Sequence, residues 1–353
     1  MLVGGAKADS FGLSRRRLAI GRGGGYSQAC MLDNFLEILP EVIFDAVETL
    51  GGRCTGRFLA LNAMENRVYD VQMEDGPNRV IKFYRPGRWS RETLQTEHDF
   101  LKALADNEIP VVQALANEAG ESLFQIKGVW FTVFPKKAGR LEPELNPEQL
   151  ERLGRFLARL HNVGATFKNA PRFKLTPTTY GRDTLKTLLD LKALPPTVET
   201  RYSQLVNQIC DRIDPWFEKA EYILTHGDCH NGNILWQTNE PYFLDFDDMC
   251  YAPPVQDLWM VTGGDDEDGR ERKAMVLEAY EQIRGFDPDS FKLIEPLRSL
   301  RMMCFNSWIA QRWADGAFKA AFPTFGTERY WQEQIEGLSV QWEKIAYRDS
   351  PAY

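Results

Sequence analysis

Apolar residues recur at helical spacing from Phe35 through Val42, Ile43 and Val47, and the pattern ends near Gly51-Gly52, so a helix is expected over residues 35–47. The period then shortens to two. Residues 57–61 and 66–73 alternate as strands do, the turn signal Asp75-Gly76-Pro77-Asn78 follows, and residues 79–84 alternate again, which predicts an antiparallel hairpin. A charged amphipathic helix is expected from Ser90 to about Asp106, with Ser90, Glu92 and Thr93 supplying a capped start. Residues 122–126 and 129–134 predict a second hairpin around Lys127-Gly128.

From Pro135 the pattern changes character. Residues 135–140 read as a linker, Pro147 opens a helix running through His161, and most of the remaining chain has helical spacing. One interruption, residues 223–246, reads strand, loop, strand, turn, strand. No internal repeat is visible. The expected organisation is α+β: a disordered extension over 1–30, a mostly β lobe over 31–135 and a mostly α lobe over 136–353, with the active site in the cleft between the lobes. The extension is Gly- and Arg-rich without periodicity, and Met31, where the periodic sequence begins, is a candidate start.

Composition narrows the functional classes. A chain of 353 residues that is 43% hydrophobic and 26% charged is globular and long enough for a sizeable core. Its 42 basic and 50 acidic residues give a net charge of −8, which argues against broad nucleic-acid binding but leaves room for a local basic groove for a phosphorylated ligand. No stretch reaches the roughly 18 apolar residues of a membrane span. The six cysteines form no C-x-x-C pair, which suits reduced thiols of a cytoplasmic protein better than a disulfide framework or a zinc site. Residues 14–18 resemble a twin-arginine signal, but the following Gly21-Arg22-Gly23-Gly24-Gly25 supplies no apolar region, so export is not expected.

The chemistry concentrates in His226-Gly227-Asp228-Cys229-His230-Asn231-Gly232-Asn233, with Asp245 twelve residues beyond Asn233 in Tyr242-Phe243-Leu244-Asp245-Phe246-Asp247-Asp248. Phosphoryl transfer needs such parts: a carboxylate to accept a hydroxyl proton, and an amide oxygen and a second carboxylate to hold magnesium on nucleotide phosphates. Hard oxygen ligands suit magnesium, which keeps several waters. His230 and Cys229 beside His226 lack the spacings of a zinc site. Asp247 and Asp248 are expected to cap a turn or accept backbone hydrogen bonds. Trp308, Trp313 and Trp331 read as core.

His-Gly-Asp-x-x-x-x-Asn followed by Leu-Asp-Phe-Asp resembles the aminoglycoside phosphotransferase and choline kinase branch of the protein-kinase-like fold. Together with residues 65–69, residues 80–86 and Pro254-Val255-Gln256-Asp257-Leu258-Trp259, the chain from about Leu32 to Tyr353 is similar to the bacterial stress response kinase A family. The resemblance implies a bilobal fold with a small antiparallel β N-lobe and a larger helical C-lobe. It implies ATP as co-substrate with Mg2+, and Asp228 as the catalytic base. Asn233 and Asp245 would be magnesium ligands, Asp245 counting also with Asp228 in the catalytic set. Lys82 would contact the nucleotide phosphates and Glu97 pair with it. His226 would be structural, and Asp257 would support the catalytic loop. Beside the resemblance, Lys82 lies in an apolar strand between Ile81 and Phe83, where a lysine on a core-facing alternation needs a partner, and Glu97 on the next helix is placed to be one.

The departures are specific. Residues 61–66 hold no glycine where protein kinases carry G-x-G-x-x-G, so backbone and Asn side-chain amides are left to donate to phosphate. There is no Asp-Phe-Gly or Ala-Pro-Glu segment, so control by activation-loop phosphorylation is not expected. Three functions fit: a serine/threonine protein kinase with a stress-response role, a small-molecule hydroxyl kinase of the aminoglycoside, choline or homoserine type, and a nucleotide-binding pseudokinase. The full set of catalytic side chains counts against the third.

Overall fold

The computed structural model describes residues 28–264 and 266–347. Two short helices open it, α1 (Gln28–Leu36) and α2 (Pro40–Glu48), where one continuous helix is expected from the periodicity. Pro40 is the reason: it takes the first helical position of α2 and holds Leu39 extended at ψ 151°. Because α1 starts at Gln28, the described chain begins inside the expected disordered extension, whose other residues lie outside the described ones.

The strands β1 (Cys54–Ala60), β2 (Arg67–Met73), β3 (Arg79–Phe83), β4 (Phe124–Ile126) and β5 (Val129–Pro135) form one antiparallel sheet in the order β1-β2-β3-β5-β4. Both expected hairpins are present. Their alternation separates two faces. Val71, Ile81, Phe83, Phe131 and Val133 pack under α1 and α2 with Phe35, Ile43 and Val47. Val68, Val80, Lys82 and Phe134 face the opposite way, into a cleft. Lys82 is therefore buried on the cleft face, not on the core face that its apolar neighbours suggest. Crossing from β3, helix α3 (Arg91–Asp106) starts as expected, the Ser90 hydroxyl accepting from the Thr93 amide at 3.2 Å.

Beyond β5 the short β6 (Arg140–Leu141) leads to α4 (Pro147–Gly164), α5 (Asp183–Asp190) and α6 (Pro196–Glu218). Strands β7 (Ile223–Thr225), β8 (Ile234–Gln237), β9 (Glu240–Phe243) and β10 (Cys250–Ala252) carry the motif-bearing loops. Helices α7 (Val255–Thr262), α8 (Glu267–Glu281), α9 (Ile294–Gln311), α10 (Gly316–Ala321) and α11 (Glu328–Ala346) complete the helical lobe. Its core is built by α5, α6, α9 and α11 around Leu188, Tyr202, Leu300 and Trp331, so Trp331 is core as its spacing suggests. A second core joins Phe100, Leu101 and Leu104 of α3 to Leu153 and Leu157 of α4 and to Phe243 and Phe246. Among the described residues no helix is long and apolar enough to cross a membrane, and no disulfide forms.

Candidate active site

A cleft of about 870 Å³ lies between sheet and helices. Val68, Val80 and Phe134 from the sheet face Leu235 and Phe243 from β8 and β9, which makes one end apolar. The other end holds Lys82, Glu97, Asp228, Asn233 and Asp245, with Arg301, Phe305 and Trp308 of α9 as its outer wall.

Lys82 sits at the centre of the polar end. Its Nζ lies 3.3 Å from Glu97 Oε1, 3.1 Å from Asp245 Oδ1 and 3.6 Å from Asp247 Oδ1. Burial alone would lower the ammonium, but the Asp245, Asp247 and Glu97 carboxylates outweigh it and hold Lys82 well above its ordinary range. It is charged at every physiological pH. Glu97, 1% exposed, is reached also by the Tyr84 hydroxyl at 3.4 Å.

The next residue on α3 gives a pH-dependent consequence. His98 is buried, its Nε2 3.2 Å from the Tyr84 hydroxyl and its Nδ1 2.7 Å from the Ser122 hydroxyl. Burial, with the charges of Lys82 and Arg172, lowers it to about 4. The unfolded chain binds a proton near pH 6.5 that the fold refuses, so stability present above that pH is lost progressively toward pH 4. At pH 5 the loss from this group is about 2 kcal/mol. Denaturation midpoints at pH 7 and pH 5 check it: His98→Gln should flatten the difference, and an unchanged difference would remove His98 as its source.

The loop after β7 is held from behind by one carboxylate. Asp257, wholly buried at the start of α7, accepts from the His226 amide and from the Gly227 amide, each at 2.9 Å, and lies 3.1 Å from His161 Nε2. His161 Nδ1 in turn is 2.9 Å from the Tyr280 hydroxyl. His226 Nε2 donates to the Leu244 carbonyl at 2.8 Å, which ties the loop to the segment carrying Asp245. Gly227 has φ +82°, and a Cβ there would stand 2.3 Å from the Asp248 carbonyl oxygen. No other residue fits, which explains glycine between the histidine and the aspartate. Asp257→Ala strands these donors without solvent, and a loss of about 3 kcal/mol is expected by denaturant melting. A change under about 1 kcal/mol would show that water replaces the carboxylate.

Asp228 lines the cleft, each carboxylate oxygen beside a basic side chain. Oδ1 is 2.7 Å from Arg301 Nη1, and Oδ2 is 3.5 Å from His230 Nε2. Burial pushes its carboxyl up, but the His230 contact and the Arg301 charge prevail and hold it below the usual carboxylate range. Asn233 Nδ2 donates to the Asp228 carbonyl at 2.9 Å. That leaves the Asn233 amide oxygen to the cleft. Asp245 stands in the left-handed region at φ 55° and ψ 67°, with a side chain 56% exposed.

Asp247 and Asp248 correct an expectation. Neither caps a turn with its side chain. Arg88 bonds to both carboxylates, and Asn66 Nδ2 donates to Asp247 Oδ2 at 3.2 Å. Asp247 is buried; the Lys82, Arg88 and Arg172 charges overcome that burial and keep its carboxyl below the usual range. Among the described residues no group of three or more His, Cys, Asp and Glu side chains is placed to hold a metal.

The glycine-free loop is fixed by side chains instead. Glu65 takes a bidentate contact from Arg312, Nε to Oε2 at 2.9 Å and Nη2 to Oε1 at 3.0 Å, and accepts from Trp308 Nε1 at 2.5 Å. Arg85 and Arg67 meet Asp315 Oδ2 at 2.8 Å and 3.1 Å. The Asn66 amide oxygen accepts from the Arg85 backbone at 3.2 Å, so its side chain ties the loop both to Arg85 and to Asp247. Trp308 packs against the helical core, as its spacing suggests, and also lines the cleft and binds Glu65. Arg88 and Arg301, which line the cleft, and Arg312, which holds Glu65, were not legible in these roles, since each meets its partner across more than 70 positions of sequence.

A sequence model of the phosphotransferase enzyme family matches residues 58–294, two-thirds of the chain. Stress response kinase A of Escherichia coli (strain K12) is 37% identical over 303 residues, covering 85% of this chain and 91% of that protein. The chain belongs to the stress response kinase A family. A further member, serine/threonine protein kinase RdoA of Salmonella typhimurium, is 36% identical over 301 residues, with the same shares covered. Solved structures of similar fold include amicoumacin kinase hAmiN in complex with AMP-PNP, Ca2+ and Ami, at TM-score 0.66 and 20% identity over 84% of this chain and 93% of that one. Spectinomycin phosphotransferase with ADP and spectinomycin follows at TM-score 0.62 and 15% identity, over 85% and 98%. The family and these folds establish the bilobal protein-kinase-like architecture and a phosphotransferase of the kinase type.

Proposed function

We propose that this member of the family transfers the γ-phosphoryl group of ATP, held with Mg2+, to a serine or threonine hydroxyl of a protein, in a stress response as its relatives' name suggests. The observation that carries the reading is Lys82, buried between Glu97 and Asp245 at 3.3 and 3.1 Å, in the same cleft as Asp228. Residues 31–135 hold the nucleotide and 136–353 the catalytic loop and acceptor, hinged across Pro135 to Arg140, where Lys136 is tied back to Asn78 and Asp70. Adenine fits the apolar end between Val80 and Leu235, and Lys82 reaches the phosphates at the polar end.

Asn233 and Asp245 would hold magnesium. The donor set fits: one amide oxygen, turned to the cleft because its nitrogen is bonded to the Asp228 carbonyl, and one exposed carboxylate. Bound there, the ion would offset charge on the phosphates. Asp228 accepts the acceptor hydroxyl's proton as its oxygen bonds to phosphorus, and the bond to the β-phosphate oxygen breaks toward ADP. Its low pKa keeps it ionised and ready across physiological pH. No membrane and no nucleic acid enters this chemistry, and buried thiols such as Cys210 and Cys229 suit the cytoplasm.

A small hydroxyl-bearing acceptor is the second reading, because the amicoumacin and spectinomycin enzymes of this fold are described with such ligands. Purified protein with labelled ATP and Mg2+, alone and with candidate acceptors, separates the two. Label on protein supports the first reading. Turnover of one metabolite without protein labelling supports the second, and nucleotide binding without any transfer would leave a pseudokinase.

A further inference from the structure

We propose that Arg301 selects the acceptor, and that the acceptor carries an anionic group beside the hydroxyl that is phosphorylated; this rests on Asp228 being the base. Arg301, Phe305 and Trp308 recur at i, i+4 and i+7, so one face of α9 forms the acceptor wall of the cleft. The guanidinium of Arg301 lies 2.7 Å from Asp228 Oδ1, and that oxygen is buried without any hydrogen bond. The guanidinium covers Oδ1 as an ion pair and stands in the way of a hydroxyl approaching it. Arg301 itself is 43% exposed, so its side chain has room to turn toward the cleft mouth.

The other cleft arginine is not available for this role: Arg88 is held by Asp247 and Asp248. Arg301 differs in that its carboxylate partner is the base. An acceptor with a carboxylate near its hydroxyl offers the guanidinium a replacement partner. The exchange uncovers Oδ1 at the moment the hydroxyl arrives, and the hydroxyl then donates to it. The hydroxyl oxygen bonds to the γ-phosphorus, its proton passes to Asp228, and the electrons of the broken bond leave on the ADP oxygen. A cationic acceptor does the opposite: it faces Arg301 with like charge and gives it no reason to leave Asp228. Phe305, 45% exposed and stacked on Trp308 with centroids 5.5 Å apart, adds an apolar surface beside the anion site.

The test uses the full chain with labelled ATP and Mg2+ and three serine peptides differing only in flanking Glu, Gln or Lys. L-serine and glycerate, as free hydroxy acids, form a separate arm. The Glu-flanked peptide should exceed the Lys-flanked one in kcat/KM by about 10- to 100-fold, the worth of one charged hydrogen bond. Arg301→Gln should erase that preference, Arg301→Lys keep part of it, and Arg301→Glu reverse it toward the Lys-flanked peptide. Transfer to the free hydroxy acids alone, with the same dependence on residue 301, would keep the anion rule and overturn the protein-acceptor reading. Equal rates on all three peptides in the wild type would overturn the proposal. So would an Arg301→Gln loss of the same size for every peptide and for ATP hydrolysis, since that marks a phosphate-binding or structural role. ATP binding with no transfer to any acceptor would instead sink the kinase reading on which it rests.

Discussion

Asp228→Asn should lower phosphoryl transfer by about two to four orders of magnitude, the usual size of a general acid–base contribution. Nucleotide affinity should stay close to that of the wild type. Asp228 contacts Arg301, His230 and Asn233 rather than Lys82, so its charge lies on the acceptor side of the site. The substitution is also structurally mild. Arg301 is 43% exposed and can be solvated when its partner becomes neutral, and Asn233 bonds mainly to the backbone carbonyl of residue 228. Transfer rates and ATP affinity measured on the same preparation decide it. If affinity fell with the rate, Asp228 would be a ligand of the nucleotide complex and not the base.

Asp245→Asn should abolish magnesium-dependent ATP binding and activity together. Asn tolerates the left-handed backbone at φ 55° nearly as well as Asp, so the change removes a charge and little else. Lys82 keeps Glu97 and Asp247, and the pair inside the fold survives. What is lost is the exposed carboxylate that can face a cation on the phosphates, in a cleft where charge is weakly screened. Asp248→Asn is the control. That residue meets Arg88 and is 41% exposed, so its loss should cost under about 1 kcal/mol of stability. Magnesium titrations against nucleotide affinity in both variants check the contrast. Equal loss of magnesium dependence would mean the whole acidic segment ligates the ion.

Local patterns carried most of the fold. Alternation over β2, β3 and β5 marks the sheet, Ser90 marks the start of α3, and the fifteen positions from Lys82 to Glu97 bring a strand and the next helix together. The spacing of Asp228, Asn233 and Asp245 is equally local, because β8 and β9 form a hairpin that returns the chain to its own loop. What escaped was of longer range or depended on one residue's geometry. Nothing near Arg301 in sequence announces that it reaches Asp228, and the Glu65 contacts with Arg312 and Trp308 close across the whole chain. Asp247 and Asp248 look like turn residues until Arg88 is placed beside them. Pro40 was visible, yet apolar spacing on both sides of it hid the break between α1 and α2.

Helix α3 has a second side. While Glu97 faces Lys82, Phe100, Leu101 and Leu104 are sunk in the core shared with α4 and the strands beneath the catalytic loop. Swinging the helix outward to part Glu97 from Lys82 would bring those three side chains into water, at about 1.5–3 kcal/mol each. Such an excursion would occupy fewer than about one molecule in a thousand. Amide exchange along α3 should accordingly be slow and indifferent to nucleotide; protection that appears only with ATP would contradict this. The Lys82–Glu97 pair is then in place whenever this core is folded, and an outward swing of α3 is not a way of parting it.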